Sequence, residues 1–257
     1  MSSARSVTKC RSYPAYCFRI SPTYSTWVKL TAADVQALRS EPEFQSQRIY
    51  FHLNHPIRFV RLVGVVVAIE DINARYTILT IDDGSGANIE VKIVRLTPAE
   101  YNSVKSPSNT EVDNVDVISH FGVFEVLVDR HRIDIGSVIK VKGTISEFRQ
   151  QKQVELKRIW VVSNTNEEVR AWAETAAFKR EVLSKPWHLS RTDHQKVKQQ
   201  IKAERRQRRE QERLRIAYEL KKLEHKKLRE QYLAKREEKQ EARRRKEEAT
   251  MNAGALI

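Results

Sequence analysis

Two alternating stretches, RYTILTI at residues 75–81 and NIEVKIV at residues 88–94, decide the fold of this chain. In each of them apolar side chains recur at every second position, which is typical of β-strands with one buried face. Between them, DDGSG at residues 82–86 supplies glycines for positive φ angles and aspartates that hydrogen-bond to the nearby backbone. The whole segment therefore predicts a β-hairpin.

Three further stretches extend this hairpin into a sheet. Residues 62–69 are an apolar run interrupted only by Gly64, which predicts a long strand bent at a β-bulge. Residues 138–145 and 154–162 alternate again and predict a second hairpin. A bent strand, a hairpin, a long excursion and a second hairpin form the strand order of an OB-fold, whose usual ligand is an oligonucleotide. We therefore predict a mainly β chain built on a five-stranded OB-fold barrel.

The other residues are arranged around this barrel. Residues 1–12 are polar and are predicted to be disordered. Residues 13–188 are predicted to form the OB-fold domain, with an aromatic-rich strap before the barrel and a helix after it. Thr31 is placed to cap a short helix within the strap. Residues 189–257 are predicted to be a charged tail, either helical or disordered.

The connection between the two hairpins, residues 96–136, is much longer than a usual loop. Residues 123–128 alternate like an added strand, whereas residues 112–118 are expected to form a short helix or turn. The sequence does not indicate what this connector does.

A helical period replaces the strand period at residues 164–184. Glu167 and Glu168 stand where a helix N-terminus favours acidic side chains, and Pro186 ends the segment. One stripe of this helix is too apolar to stay exposed to water, so we expect it to pack on the chain's own barrel or on another protein. The stripe consists of Val169, Trp172, Ala173, Ala176 and Leu183.

The positive charge of the chain is concentrated in its tail. The net charge is +14, and residues 191–248 alone contain 22 Lys and Arg against 12 Asp and Glu. Residues 191–249 contain no glycine or proline and keep no clean heptad. They predict an exposed helix, and the alternative is a nonspecific clamp for nucleic acid.

Binding of a single strand by an OB-fold requires cations along the backbone path and aromatic faces for stacking. On the fourth strand, Ile139, Val141 and Ile145 share one face, so the two lysines between them face the other way. The candidate nucleic-acid-binding residues are Tyr76, Lys92, Lys140, Lys142, Phe148, Arg149 and Lys152. The alternatives are that the tyrosine packs at the barrel rim and that the two fourth-strand lysines are only solvated.

Several function classes are disfavoured by the composition. Two cysteines, Cys10 and Cys17, match no zinc spacing and no disulfide framework. His52 and His55 have no third ligand at useful spacing, and the aspartates of the hairpin are explained by its turn. We therefore expect no metal, no cofactor and no catalytic residues; a nuclease or an enzyme accessory remains the alternative. No apolar run approaches the ~20 residues of a membrane helix, and the N-terminus resembles no secretory signal, so we expect a soluble intracellular protein with no membrane contact.

Four motifs resemble a known family. Residues 21–28 (SPTYSTWV), 51–67 (FHLNHPIRFVRLVGVVV), 81–86 (IDDGSG) and 135–143 (IGSVIKVKG) resemble the OB domain of the Stn subunit of the CST telomere-capping complex. Residues 135–143 and 166–172 (NEEVRAW) are also similar to the middle subunit of replication protein A. The resemblance extends over roughly residues 13–188.

This resemblance implies a partner and a ligand. Stn proteins pair with a small OB-fold protein, Ten, through their C-terminal helix, and both join a larger subunit in the CST complex. That complex binds single-stranded telomeric DNA in the nucleus, protects chromosome ends and helps recruit DNA polymerase α–primase for fill-in. Phe148 stands where relatives present an aromatic, and Ser146 where some carry a basic residue.

One departure and one alternative accompany the resemblance. Many Stn proteins continue into winged-helix modules, and nothing after Trp187 resembles one. The alternative function is a general single-stranded DNA-binding subunit of replication.

Overall fold

The computed structural model describes residues 12–97, 101, 106–120 and 123–254. It divides into two units, residues 1–189 and 190–257. The segment predicted to be disordered lies outside the described residues, apart from residue 12.

The predicted central hairpin is confirmed. Strand β6 (Tyr76–Asp82) pairs with β7 (Asn88–Val94) in antiparallel register. The turn is closed by its aspartates: the Asp82 carboxylate accepts a hydrogen bond from the amide of Gly84 at 2.8 Å. Gly84 and Gly86 have φ angles of 72° and 89°, so both glycines serve the positive-φ role expected of them.

Three long strands complete the main sheet: β5 (Phe59–Asn73), β11 (Val138–Phe148) and β12 (Gln151–Val161). The first half of β5 pairs with β11, the second half pairs with β6, and β12 runs parallel to β7. The order β5–β11–β12–β7–β6, with β6 again beside β5, is that of an OB-fold. The strand-rich OB-like fold with a helix after its last strand is thus confirmed.

The sheet contains more than the five expected strands. A two-residue strand, β1 (Val28–Lys29), adds to the edge of β5 in parallel. Alternate residues of the long strands point inward, and Leu79, Ile81, Val91 and Val141 are all fully buried in the main core.

Gly64 is required by a close approach rather than by a bulge at its own position. The register shifts of β5 lie further along, between Val66 and Ala68 and between Asp71 and Asn73. A Cβ atom on Gly64 would lie 2.5 Å from the carbonyl oxygen of Asp82. The glycine therefore lets β5 leave β11 and press against the end of β6.

The strap forms a second, aromatic core. It contains 3₁₀ helices Ala15–Ile20 and Pro42–Gln47, α1 (Ala32–Gln36), and a small sheet of β2 (Arg39–Ser40), β3 (Tyr50–His52) and β4 (His55–Ile57). Thr31 caps α1 as predicted, since its hydroxyl accepts a hydrogen bond from the Asp34 amide at 3.1 Å. The rings that pack together are Tyr13, Phe18, Phe44, Phe51 and Trp187.

This strap also holds the chain after the last helix of the domain. The side-chain amide of Asn54 donates to the carbonyl of Trp187 at 2.8 Å and accepts from its backbone amide at 2.7 Å. His55 Nε2 lies 2.8 Å from the carbonyl of Lys185, and burial lowers the pKa of this imidazole. The Leu189 amide donates to the hydroxyl of Tyr13.

The connector forms its own three-stranded antiparallel sheet of β8 (Val115–His120), β9 (Val123–Val128) and β10 (His131–Ile133). The strand predicted at residues 123–128 is confirmed. The short helix or turn expected at residues 112–118 is limited to a turn at residues 112–114, and the prediction is wrong for residues 115–118, which belong to β8. Val115 and Val117 are buried in the main core, and β8 pairs with β9 along its whole length.

Two helices follow the sheet. Helix α2 (Thr165–Phe178) begins at Asn164, whose side chain accepts from the amide of Glu167 at 2.9 Å, and it continues into a π-helical turn, Lys179–Leu183. Helix α3 (Arg191–Gly254) is a single helix of 64 residues. Ion pairs at i,i+4 spacing lie along α3, among them Arg243–Glu247 at 2.9 Å and Arg215–Glu219 at 3.1 Å.

The contact at Gly64 can be tested by substitution. Gly64→Ala should lower the free energy of unfolding by about 1–3 kcal/mol, because the added methyl group meets the backbone of Asp82. Gly84→Asn is the control, since its position is open and asparagine tolerates positive φ. Equal denaturation midpoints for the two variants would contradict this account.

Candidate nucleic-acid and partner interfaces

The outer face of the β6–β7 hairpin brings together two predicted nucleic-acid-binding residues. Lys92 lies across from Ile78, next to Tyr76 on the same face. Its ammonium group is 5.2 Å from the centre of the Tyr76 ring. Glu90 shares this face with them, so the net positive charge of the hairpin surface is small.

The tip of the β11–β12 hairpin carries a second pair. Phe148 is 57 % exposed, and the guanidinium of Arg149 lies 5.1 Å from its ring centre. Arg149 and Gln150 have φ angles of 49° and 68°, a conformation that non-glycine residues adopt rarely. An exposed ring and a cation are therefore held at a tight two-residue turn.

Lys152 is on the same hairpin but is occupied by the strap. Its ammonium group donates to the carbonyl of Gln36 at 2.8 Å, and its backbone exchanges hydrogen bonds with the side chain of that glutamine. These contacts fasten the end of α1 to β12.

Lys140 and Lys142 lie elsewhere. Their strand, β11, is separated from β7 by β12 and from β6 by β5. Lys140 also forms an ion pair with Glu167 of α2 at 2.6 Å. The structure thus distributes the seven expected residues over the hairpin face, the turn tip and the outer face of β11 instead of one groove.

The outer face of β11 includes rings that the sequence analysis did not single out. Trp160 is the cross-strand neighbour of Lys140, and Trp27 lies beside Lys142. The alternation of Arg158, buried Ile159 and Trp160 could have indicated the first of these rings. No local pattern indicates Trp27, which comes from the strap.

Helix α2 is anchored on one side to the main sheet. Arg61 of β5 donates to the carboxylate of Glu174 at 2.6 Å and to the carbonyl of Ala171 at 3.2 Å, and its side chain is only 11 % exposed. Lys29 is 3.0 Å from the same carboxylate. Hydrogen bonds from Lys29 and Arg61 lower the pKa of Glu174.

The opposite side of α2 is exposed. Of the five residues expected on the apolar stripe, Val169, Trp172, Ala173 and Ala176 are exposed, and the tryptophan is 49 % exposed. Leu183 does not belong to the stripe. It is the last residue of the wider π-helical turn, which changes the helical phase, and its side chain is buried in the main core.

A cleft of about 300 Å³ adjoins this stripe. It lies between α2, the β6–β7 turn and the start of α1, with Trp172 at one wall and Val63 at another. At its α2 wall, Lys179 pairs with Asp34 at 2.7 Å. Its lining consists of Leu30, Thr31, Val63, Asp83, Gly84, Ser85, Trp172, Thr175, Ala176 and Lys179.

Several known proteins are similar to this chain. The family model "Telomere regulation protein Stn1" matches residues 12–103. The CST complex subunit STN1 of Bos taurus is 24 % identical over 178 residues, which is 68 % of this chain and 47 % of the relative. The resemblance to the Stn subunit is confirmed. Protein stn1 of Schizosaccharomyces pombe is 24 % identical over 65 % of the chain and 44 % of its own length. The chain thus spans about half the length of the curated relatives it matches.

Solved structures with a similar chain include the S. pombe Stn1–Ten1 complex, with a TM-score of 0.44 and 21 % identity over 62 % of this chain and 96 % of that one. A replication protein A heterotrimer bound to single-stranded DNA has a TM-score of 0.42 and 17 % identity over 62 % and 98 %.

In the described part of the chain, no group of three or more His, Cys, Asp or Glu side chains is placed to share a metal ion. None of the helices among residues 12–254 that the structure describes has the length and apolar character needed to cross a membrane.

The anchor of α2 generates a pH-dependent prediction. Because the pKa of Glu174 is lowered in the folded chain, its contribution is fully present above the ordinary glutamate value of about 4.3 and is lost as pH falls through the folded-state value. Glu174→Gln should lower the free energy of unfolding at pH 7 by about 1 kcal/mol, since it weakens a charged hydrogen bond to buried Arg61. The difference from wild type should shrink below about pH 4.

Glu181→Gln is the matched control, because its pair with Arg180 is 3.6 Å long and highly exposed on both sides. Denaturant unfolding at several pH values measures both variants. A constant difference between Glu174→Gln and wild type across the acid range would contradict the assignment.

Proposed function

We propose that this chain is the Stn-like subunit of a telomere-capping complex. It binds single-stranded telomeric DNA together with a small Ten-like OB-fold partner and a larger subunit, protects chromosome ends in the nucleus and promotes fill-in by DNA polymerase α–primase. It acts by binding and not by catalysis. The observation that carries the proposal is the exposed apolar stripe on α2, in a chain whose residues 12–103 match the Stn1 family model.

The two sides of α2 support a partner interface. One side is fixed to the barrel through Glu167, Ala171 and Glu174, so the other side is presented in one orientation. An exposed tryptophan beside a cleft is a typical anchor point of protein interfaces, and an apolar helical stripe fits a partner helix. The cleft offers room for an apolar side chain from that helix.

The hairpin face and the turn tip support a DNA interface. Tyr76 and Phe148 supply rings, and Lys92 and Arg149 supply charges near them. Stacking contributes roughly 1–3 kcal/mol per base, so two rings support only weak binding. A second OB-fold held on α2 would raise the overall affinity through effective concentration.

Trp172→Asp tests the partner interface. We expect it to weaken binding of the small OB-fold partner by about 2 kcal/mol or more, because it places a charge at a central apolar anchor. Arg170→Asp is the control, since it adds the same group at an exposed position of α2 outside the stripe. Titration calorimetry measures affinity, and thermal unfolding checks that both variants fold. A 1:1 complex of undiminished affinity with Trp172→Asp would place the interface elsewhere.

The turn tip is tested by Phe148→Ala combined with Arg149→Asn. Asparagine is chosen because position 149 has a φ of 49°. In the reconstituted pair, single-strand binding should weaken by about 1–3 kcal/mol through the loss of one stacking ring and one cation. Arg130→Asn is the matched control, because Arg130 has a φ of 65° in the similarly tight β9–β10 turn. Unchanged affinity in fluorescence anisotropy would exclude the tip from the interface.

A general replication subunit is the second candidate. It is supported by the likeness of residues 135–143 and 166–172 to the middle subunit of replication protein A. Tyr76 is also the one ring among the outward positions of β6 and β7, which offers little means of distinguishing bases. With the partner present, tighter binding of a G-rich telomeric oligonucleotide than of a mixed sequence of equal length favours the capping function. Equal affinities favour the replication function.

A further inference from the structure

A second group of cations and rings lies on the outer face of β5, β11 and β12. We name it the β11 face and define it as Trp27, Phe59, Lys140, Lys142, Arg158 and Trp160. In the strand order its central strand, β11, is separated from the hairpin strands β6 and β7 by one strand on each side.

The cations of this face are stacked across neighbouring strands. Lys142 stands directly opposite Arg61 on β5 and directly opposite Arg158 on β12. Like charges at directly opposite positions repel each other. Glu174 neutralises Arg61, but within the described residues neither Lys142 nor Arg158 forms an ion pair with a carboxylate. Among the residues that the structure describes, the row therefore leaves two positive charges without a counterion.

The local field is accordingly positive. Burial lowers the pKa of Lys142, and Arg158, Arg61, Lys140 and Lys29 lower it further. A bound anion would relieve this repulsion. The face thus favours a ligand with negative charge.

Aromatic rings are interleaved with these cations. The ammonium group of Lys142 lies 5.1 Å from the ring centre of Trp160 and 5.8 Å from that of Trp27. Trp27 packs edge-on against Phe59 at 5.2 Å, so the rings support one another. All three rings are only partly buried, which leaves surface for a flat ligand group.

Anionic groups and flat rings occur together in single-stranded nucleic acid. A duplex presents phosphates but keeps its base faces stacked, and an acidic peptide presents carboxylates without regularly spaced rings. We propose that the β11 face is a second contact surface for single-stranded nucleic acid, where Lys142 and Arg158 bind phosphates and Trp27 and Trp160 stack on bases. The inference rests on the proposed single-strand-binding function and extends it to a separate surface.

The test measures binding of a labelled oligothymidine to the full chain over a range of salt concentrations. Lys142→Gln with Arg158→Gln should weaken binding about tenfold or more at low salt. Each lost phosphate contact on a single strand lowers the log–log salt slope by about 0.7, so the slope should become shallower by about 1.4. Arg158→Gln alone, at an exposed position, should change the slope by about 0.7.

Two further variants distinguish the loss of phosphate contacts from the loss of base stacking and from a general loss of positive charge. Trp160→Leu removes a ring without removing charge, so it should weaken binding and leave the salt slope unchanged. Arg130→Asn with Lys185→Gln removes two charges from exposed positions outside the face and should change neither quantity. The same loss in this control as in Lys142→Gln with Arg158→Gln would overturn the proposal.

The test of the β11 face can be distinguished from a test of the proposed hairpin face. Tyr76→Ala with Lys92→Gln acts on the hairpin face alone. If this variant has no effect while the β11 variants weaken binding, the hairpin face fails and the β11 face stands. The reverse result, or equal competition by duplex DNA or polyglutamate, overturns the β11 face. A fall in the thermal midpoint of Arg158→Gln that accounts for its loss of binding would also overturn it, and an absence of oligothymidine binding by the wild-type chain would overturn both.

Discussion

The contact between Arg61 and Glu174 determines how the rest of the domain presents its surfaces. The guanidinium is almost buried between β5 and α2, and it also reaches the carbonyl of Ala171. A buried ion pair adds little net stability over an apolar contact, but a guanidinium with two fixed acceptors sets the position of both elements. Removing its carboxylate would leave a buried charge, so the helix has one favoured placement on the sheet.

That placement divides the outer surface of the barrel. On one side of α2, its apolar stripe and the adjoining cleft remain open for another protein. Beyond its anchored side, Lys142 and Arg158 have no carboxylate partner in the described part of the chain, because Glu174 and Glu167 are already engaged with Arg61 and Lys140. The hairpin face of β6 and β7 is a third surface. One helix position thus leaves the apolar stripe, the β11 face and the hairpin face exposed at the same time.

Local sequence patterns predicted the secondary-structure elements but not the tertiary contacts between them. The alternation in β6 and β7 and the aspartates of their turn were sufficient for the hairpin, because hairpin pairing is local. The inward and outward positions of β11 also followed from its period of two. The prediction for residues 115–118 was wrong because this segment forms a strand only through pairing with β9 and through contacts of Val115 and Val117 with the distant main core.

The functional surfaces depended even more on distant contacts. Leu183 left the predicted stripe because a π-helical turn changed the helical phase, and π turns have no clear sequence signal. The sequence could not show that Lys140 and Lys142 lie on a different surface from Tyr76 and Lys92, because this depends on the order of the strands in the main sheet. Trp27 is 115 positions before Lys142, and no periodicity joins them. Elements were therefore predictable, whereas the composition of each site was not.

The hydrogen bonds formed by Asn54 have a consequence for the two ends of this unit. The two hydrogen bonds between its side chain and the backbone of Trp187, with the Tyr13–Leu189 bond beside them, tie down the chain between α2 and α3. Because Tyr13 and Leu189 stand near opposite ends of the sequence of this unit, its first and last described segments are held side by side, and unfolding of the strap would release both.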